Sequence, residues 1–330
     1  MDGVLRWGAP ALLASVLLAQ TAAPAVKSVA LTFDDLPAVG TSNVAAVRAI
    51  TSDILDGLDR YHVPATGFVI GRRVDALASH SGPSILAEWT RRGYPLGSHT
   101  YSHIDLSEVK ARAFENDVIA NEKVLAPVWA AAGTDAKYLR FPFNHAGDTP
   151  AKHDEVRAFL TGRGYRIATC TIDTSDYVFN DAYALMRERR DTASIVKLWA
   201  DYLAYTATEI DYYESLNVQV FGHSIPHVML LHANQLNADL IEQLLTIFET
   251  KDFRFVTLDD AQADPAYQTP EGPPTKFGPM WGYRWAKARK IKVDGAAELE
   301  PPAWIVNYGK TAAPPRSASP GSGFIPPVMR

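Results

Sequence analysis

Asp34 and Asp35 end a run of strand-like residues at 29–33, and the chemistry of this chain gathers around that pair. A buried strand that closes on two adjacent acids sends them out of its mouth in different directions. One can then hold a metal ion while the other stays free as a base. Further along, His99 and His103 stand four residues apart. Four residues make one helical turn, so both imidazoles can face the same ion. Two neutral imidazoles and one carboxylate suit a borderline cation such as zinc, cobalt or iron. Thr100 stands where the H-E-x-x-H metalloprotease helix carries its glutamate, so a base must come from elsewhere. Taken singly, each signal has a plain structural reading, because Asp pairs cap turns and spaced histidines decorate helix surfaces. The apolar strand, the Asp pair and the His pair in one order form a much rarer combination.

The elements that must position these groups alternate in type. Apolar runs at 29–33, 67–70, 94–98, 138–142, 165–172, 227–231 and 253–258 predict strands. Helical periods fill 43–61, 84–92, 107–132, 151–163 and 236–250, with Ser107 as the expected N-cap of the third and a bend or break at Pro127. A long, mostly helical insertion is expected over about 180–216, and 218–221 forms another short apolar run. Strands alternating with helices imply parallel βαβ units and right-handed crossovers. The expected fold is therefore α/β, a distorted (β/α)7 barrel resembling a TIM barrel. Function in such barrels sits at the carboxyl ends of the strands. The Asp pair, the histidines, Arg140, Asp173 and His232 all fall there.

The 330 residues are 47% hydrophobic and 21% charged, which describes a globular chain. A net charge of −5 argues against nucleic acid as a partner. Cys170 is the sole cysteine, which excludes an internal disulfide and a Cys-based zinc site; within the apolar run 165–172 it reads as a buried strand residue. Residues 1–25 read as an export signal, with an apolar core at 11–19 and an A-x-A cleavage site at Ala23-Pro24-Ala25. The apolar run is too short to span a bilayer. No stable membrane span is expected after cleavage, and the destination is the periplasm or the exterior. Beyond residue 264, prolines punctuate the chain. Residues 276–292 carry basic side chains interleaved with Trp281, Tyr283 and Trp285, expected as a tail helix packed on the barrel. Residues 301–330 are expected to be extended or disordered.

Over about residues 28–260 the ordered motifs resemble those of the polysaccharide deacetylase family, the NodB-homology domain of carbohydrate esterase family 4. Thr32-Phe33-Asp34-Asp35 resembles the first motif, which implies Asp34 as general base and Asp35 as metal ligand. His99-Thr100-Tyr101-Ser102-His103 is similar to the second, which implies His99 and His103 as the other ligands. Arg140-Phe141-Pro142-Phe143-Asn144 resembles R-x-P-x-G. The likeness implies that Arg140 pairs with Asp34 and keeps it ionised, and that the Phe143 backbone N–H helps bind an oxyanion. Asn144 replaces the glycine, and asparagine tolerates a left-handed backbone. Asp173-Thr174-Ser175-Asp176-Tyr177 resembles D-x-x-D-W, with Asp176 orienting the acid histidine and raising its pKa. Tyr177 replaces the tryptophan and can wall a sugar pocket. Asp173 could contact Arg140 or cap the strand end. Leu230-Leu231-His232 resembles L-x-H, with His232 as general acid and Leu230 lining a pocket for the acetyl methyl. The domain so implied covers 26–264, followed by the 265–330 extension.

The resemblance implies an exported hydrolase that removes acetyl groups from an N-acetylated carbohydrate, whether chitin-like, peptidoglycan or another amino-sugar glycan. Its cofactor would be a divalent metal, zinc first, with cobalt or nickel as alternatives. The competing readings are an O-acetyl esterase of the xylan type on the same site, an inert glycan-binding protein on the same fold, and an iron oxygenase, which the separate acid and base argue against. His145, His223 and His227 flank the motifs and are expected to be structural or solvent-facing.

Overall fold

The computed structural model describes residues 26–134 and 137–310. The expected export signal at 1–25 and the end of the extension at 311–330 lie outside the described residues. In chain order the elements are β1 (Ser28–Leu36), α1 (Val44–Arg60), β2 (Ala65–Val69), α2 (Gly71–Asp75), α3 (Ser81–Arg91), β3 (Leu96–Ser98), α4 (Ala111–Ala132), β4 (Lys137–Leu139), α5 (Pro150–Gly162), β5 (Tyr165–Ile167) and β6 (Ile172–Asp173). They continue with α6 (Asp176–Arg189), α7 (Thr192–Phe221), β7 (His227–His232), α8 (Gln235–Thr250), β8 (Arg254–Phe255), α9 (Leu258–Gln262), α10 (Trp281–Ala288) and α11 (Ala303–Val306).

Every strand pairing is parallel, in the order β5-β4-β3-β2-β1-β7-β6, with β8 on β1. The strand expected over 165–172 is two short ones at opposite ends of that order. Ala168 N–H still donates to Leu139 O on β4, whereas Thr171 N–H donates to Val228 O on β7. One continuous run thus leaves one edge and joins the other, and this crossing turns an open sheet into a distorted barrel of seven staves. β8 takes only Ser28 and Val29 of β1.

Helices cover the sheet because their apolar stripes have nowhere else to go. In α1, Val47, Ile50, Ile54, Leu55 and Leu58 are buried, a 3.6-residue pattern, and Asn43 caps the start by accepting from Ala46 N–H. With helices outside and side chains within, β1 and β7 are buried on both faces, which is why they read as continuous apolar runs.

Four local expectations change. α4 begins at Ala111, not at Ser107, because Asp105 accepts the Ser107 N–H and holds residues 105–107 in a turn. α4 also runs on through Pro127. The helical insertion is two helices: α6 stops at Arg190, whose φ is 57°, and Asp191 then caps α7, which absorbs the apolar run 218–221. The extension is ordered further than expected, since α11 lies within 301–310 and buries Ile305. α10 buries Trp281 and Trp285 against the barrel.

Candidate active site

The carboxyl end of β1 carries a bulge. Phe33 pairs with Gly67 and Leu36 with Val69, so β1 spends one more residue than β2 over the same span. Asp35 takes the extra turn with φ of 69°. A bulge of this kind re-aims side chains, and here it parts the two acids. Asp34 stays in register with His232 on the neighbouring β7. Asp35 turns toward His99 and His103, and its Oδ1 lies 3.5 Å from the Nε2 of each.

His99 and His103 do not lie on a helix. They sit in the loop after β3, in which Thr100 and His103 are left-handed, with φ of 62° and 60°. Side chains hold this loop in place of a helical ladder. Asp117 of α4 accepts from the Ser102 N–H (2.9 Å) and hydroxyl (2.8 Å), and Thr100 Oγ1 accepts from Ile104 N–H. Asn121 Nδ2 donates to Ser98 Oγ and Val69 O, both at 2.8 Å. The rings still converge, with centroids 4.8 Å apart.

Asp35, His99 and His103 could together hold a metal ion, since one ligand atom from each lies within 4.8 Å of the others. The chemistry of the set fits. His99 Nδ1 donates to Arg140 O at 2.8 Å, which leaves the Nε2 lone pair toward Asp35. Burial pulls both imidazoles down to about 4, so both are neutral at physiological pH. Asp35 Oδ1 is buried without a hydrogen-bond partner, the kind of orphan a cation would satisfy. Burial pushes the Asp35 carboxyl up, but Arg73, His103, His232 and His99 outweigh it and hold the group well below the usual range.

Arg140 is wholly buried, and each part of its guanidinium has a partner. Nε donates to Ala168 O at 2.7 Å and Nη2 to Thr32 Oγ1 at 3.1 Å, while Nη1 meets both Asp34 oxygens at 3.4 and 3.3 Å. The sequence reading has Arg140 lowering the pKa of Asp34. It does pull that way, but burial outweighs it and the Asp34 pKa is raised. A raised carboxylate near an attacking water is better matched to taking a proton.

Across from Asp34, His232 Nδ1 donates to Asp176 Oδ1 at 2.6 Å. Asp176 opens α6 and is satisfied by further donors: the His232 N–H at 2.8 Å, Asn234 Nδ2 at 3.0 Å and Asn237 Nδ2. Burial alone would pull His232 down, but the charge and hydrogen bond of Asp176, with Asp35 and Asp34 behind, raise it to about 10. Asp173 caps the turn through Ser175 N–H at 2.9 Å, while the guanidinium of Arg140 is directed to Ala168, Asp34 and Thr32.

Two rings stand at the mouth, each well exposed. Phe143 is 46% exposed and its ring lies 4.6 Å from that of His103; Tyr177 is 41% exposed and lies edge-on to His232 at 6.0 Å. Phe143 and Asn144 are both left-handed, with φ of 57° and 55°, as the asparagine in the glycine position allows. Leu230 is buried in β7, in register with Thr32 and Asp173. Cys170 is buried and its thiol is pushed up by burial. His145 pairs with Asp105 at 2.8 Å and His227 with Glu214 at 2.6 Å. A cavity of about 600 Å³ at the opposite mouth, lined by Thr66, Leu96 and Tyr138, holds none of these residues.

The polysaccharide deacetylase family model matches residues 21–158, a span that includes the Asp pair, the His pair and Arg140. Through these residues the chain resembles the polysaccharide deacetylase family. It is 27% identical over 236 residues to the peptidoglycan-N-acetylglucosamine deacetylase of Bacillus cereus, covering 70% of this chain and 66% of that one. It is 29% identical over 161 residues to a chitin deacetylase of Pestalotiopsis, covering 49% and 47%. The chain thus spans between about half and two thirds of these relatives. The crystal structure of the chitin deacetylase from Colletotrichum lindemuthianum shares the fold, with a TM-score of 0.50 and 24% identity over 71% of this chain and 86% of that one.

Several neighbours of the site escape a reading of the sequence. Arg73 reaches Asp35 Oδ2 at 3.2 Å and its backbone oxygen at 3.2 Å. The signal was its place, just past the carboxyl end of β2. Asn234 and Asn237 supply Asp176, and their only signal was proximity to His232.

Proposed function

We propose that this chain is an exported, metal-dependent hydrolase that removes acetyl groups from an N-acetylated carbohydrate. The observation that carries the reading is the register pair of Asp34 and His232. One is a carboxylate with a raised pKa and the other an imidazolium held charged by Asp176, paired on adjacent strands beside the Asp35–His99–His103 cluster. Binding alone needs neither a base nor an acid. The names of the relatives support an amino-sugar glycan, chitin-like or peptidoglycan, as the substrate class. Residues 26–264 form the deacetylase domain in this reading, and residues 1–25 direct export to the periplasm or the exterior. Among the described residues no helix is long and apolar enough to cross a membrane.

Asp35, His99 and His103 would hold a divalent cation, zinc first and cobalt or nickel next, which when bound supplies Lewis-acid polarisation and makes water more acidic. Asp34 takes the proton of the attacking water. Arg140 offsets the charge of that carboxylate at depth without forming a tight fork that would fix it as an ion pair. The Phe143 N–H donates to the oxyanion of the tetrahedral species. His232 delivers its Nε2 proton to the departing nitrogen, with Asp176 compensating the charge on the other side of the ring. An amine departs badly without a proton, so a histidinium of high pKa favours the amide over the ester. Leu230 faces the acetyl methyl, and Phe143 and Tyr177 flank the sugar.

The test is acetate release by the metal-loaded chain from N-acetylglucosamine oligomers, peptidoglycan and acetylated xylan. Release from the amino-sugar substrates is expected. Release from xylan alone would move the reading to an O-acetyl esterase. Glycan binding with no release from any substrate, across several metals, would leave an inert binder.

A further inference from the structure

We propose that Arg284, on the extension that follows the barrel, is a positioning residue for the turn that presents Phe143, so that α10 is part of the catalytic unit. The inference rests on the deacetylase reading and extends it to a segment far outside the matched residues 21–158.

The turn needs outside support. Phe143 and Asn144 are consecutive non-glycine residues in the left-handed region. Such conformations are disfavoured and persist only where the surroundings over-determine them. Within the barrel the turn is held by Asn144 N–H to Phe141 O and His145 N–H to Pro142 O, both at 3.0 Å, by the Phe143 ring against His103, and by the Cys170 thiol, which donates to Asn144 Oδ1 at 3.4 Å. Further contacts come from the extension. Arg284 Nη2 donates to the Asn144 carbonyl. Gly278 lies so close that a methyl group on it would fall 1.8 Å from the Phe143 carbonyl oxygen. Trp281 N–H donates to Cys170 O at 3.0 Å, which fixes the start of α10 against the residue that holds the Asn144 side chain.

Arg284 is itself held from several directions. Nε donates to Pro279 O at 2.9 Å, Nη1 meets Glu271 Oε2 at 3.2 Å, and the guanidinium lies 4.0 Å over the Trp281 ring. Glu271 also pairs with Arg157 of α5. Three partners in three directions are a task for a planar fork, which a lysine cannot reproduce. The charged donor on the Asn144 carbonyl sets the tilt of the peptide planes at 143–145. With Gly278 against the Phe143 carbonyl, this restrains the backbone of 143–145 and through it the preceding plane that carries the Phe143 N–H and the place of its ring beside His103.

The test compares wild type with Arg284→Gln, Arg284→Lys and Gly278→Ala, reading kcat, KM, metal content and hydrogen exchange by peptide. Arg284→Gln is expected to lower kcat roughly 10–100-fold, the scale of a small misplacement at a reacting centre, with KM and metal content near wild type. Exchange should accelerate in peptides spanning 141–146 and stay unchanged in α1 and α8. Arg284→Lys should restore little. If Arg284→Gln unfolds the chain, Gly278→Ala decides, because it presses on the Phe143 carbonyl and removes no charge. A folded Arg284→Gln, or Gly278→Ala in its place, with unchanged kcat and unchanged exchange at 141–146 overturns the proposal. So does a fall in kcat matched by faster exchange throughout the barrel, which would make Arg284 a general anchor. If wild type releases no acetate at all, the deacetylase reading fails, while exchange at 141–146 still decides whether Arg284 holds the turn.

Discussion

Asp34 and Asp176 are the same residue at nearly the same depth, 2% and 0% exposed, and the barrel drives their pKa values in opposite directions. Burial penalises both charges. Asp176 receives four hydrogen bonds in return, from the His232 ring and backbone and from two asparagines, and opens a helix whose dipole favours an anion. Asp34 receives a single guanidinium nitrogen, 3.3 and 3.4 Å from its two oxygens. The well-supplied carboxylate stays ionised and acts as a fixed charge. The poorly supplied one keeps a raised pKa and can exchange a proton. In the proposed mechanism, what separates the positioning acid from the base is thus the count and quality of donors, not burial.

The largest effect should come from the poorly supplied side. Asp34→Asn keeps the shape and removes the base, so acetate release should fall by about 10²–10⁴-fold, while metal content measured by elemental analysis stays at the wild-type level. His99→Ala should lose the metal and the activity together. An Asp34→Asn protein that turns over normally would end the assignment of the base, and one that loses metal would make Asp34 a ligand.

Much of this contrast was legible beforehand, because it depends on residue types at strand ends. The Asp pair after an apolar run, the Arg, the second Asp pair and the late His all mark the carboxyl mouth of a barrel, and the barrel follows from alternating periods. What failed were inferences from spacing alone. The four-residue spacing of His99 and His103 suggested a helix, but a loop with two left-handed residues brings the rings together as well. The run at 165–172 looked like one strand because apolar character does not reveal which neighbour each half pairs with. The net direction at Asp34 was misjudged because depth, unlike the presence of Arg140, has no local sequence signature. Arg73, Asn234, Asn237 and Arg284 went unread for a related reason: each acts through long-range contacts whose partners only the folded barrel and its extension bring near.

The well-supplied side gives a smaller effect with a distinct pH signature. His232 is held near 10 chiefly against burial, by Asp176. Asp176→Asn removes that support and leaves burial, so the alkaline limb of the activity profile should move to lower pH, and activity at neutral pH should fall by roughly 100-fold or less. A bound divalent cation also moves this limb down, so both proteins must be compared at equal metal loading. Stability carries the same sign. A raised histidine pKa contributes stability that is fully present below about 6.5, the ordinary value, and is lost as pH rises through about 10. The stability gap between wild type and Asp176→Asn should therefore be widest near pH 6 and should narrow toward pH 10, as read from denaturant midpoints. A gap that widens with pH would contradict a charged His232.

The smallest effect should come from thinning the supply to Asp176 without removing it. Asn237 Nδ2 donates to Asp176 and to His232 O, while its Oδ1 accepts from Tyr202. Asn237→Ala should cost stability on the order of 1.5–3 kcal/mol, the range for a hydrogen bond to a charged group. Yet Asp176 keeps three donors, and its pKa starts below the ordinary carboxylate range. It should remain ionised across the whole working pH range, so His232 keeps its partner. The alkaline limb should then stay within about half a pH unit of wild type, and kcat should fall by no more than about tenfold, the low end for a residue that acts through another. A shift as large as that of Asp176→Asn would mean that one donor, not the set, keeps Asp176 charged. Asp176 and Asp34 would then differ by a single hydrogen bond, and the distinction between a fixed charge and a titrating base would rest on Asn237 alone.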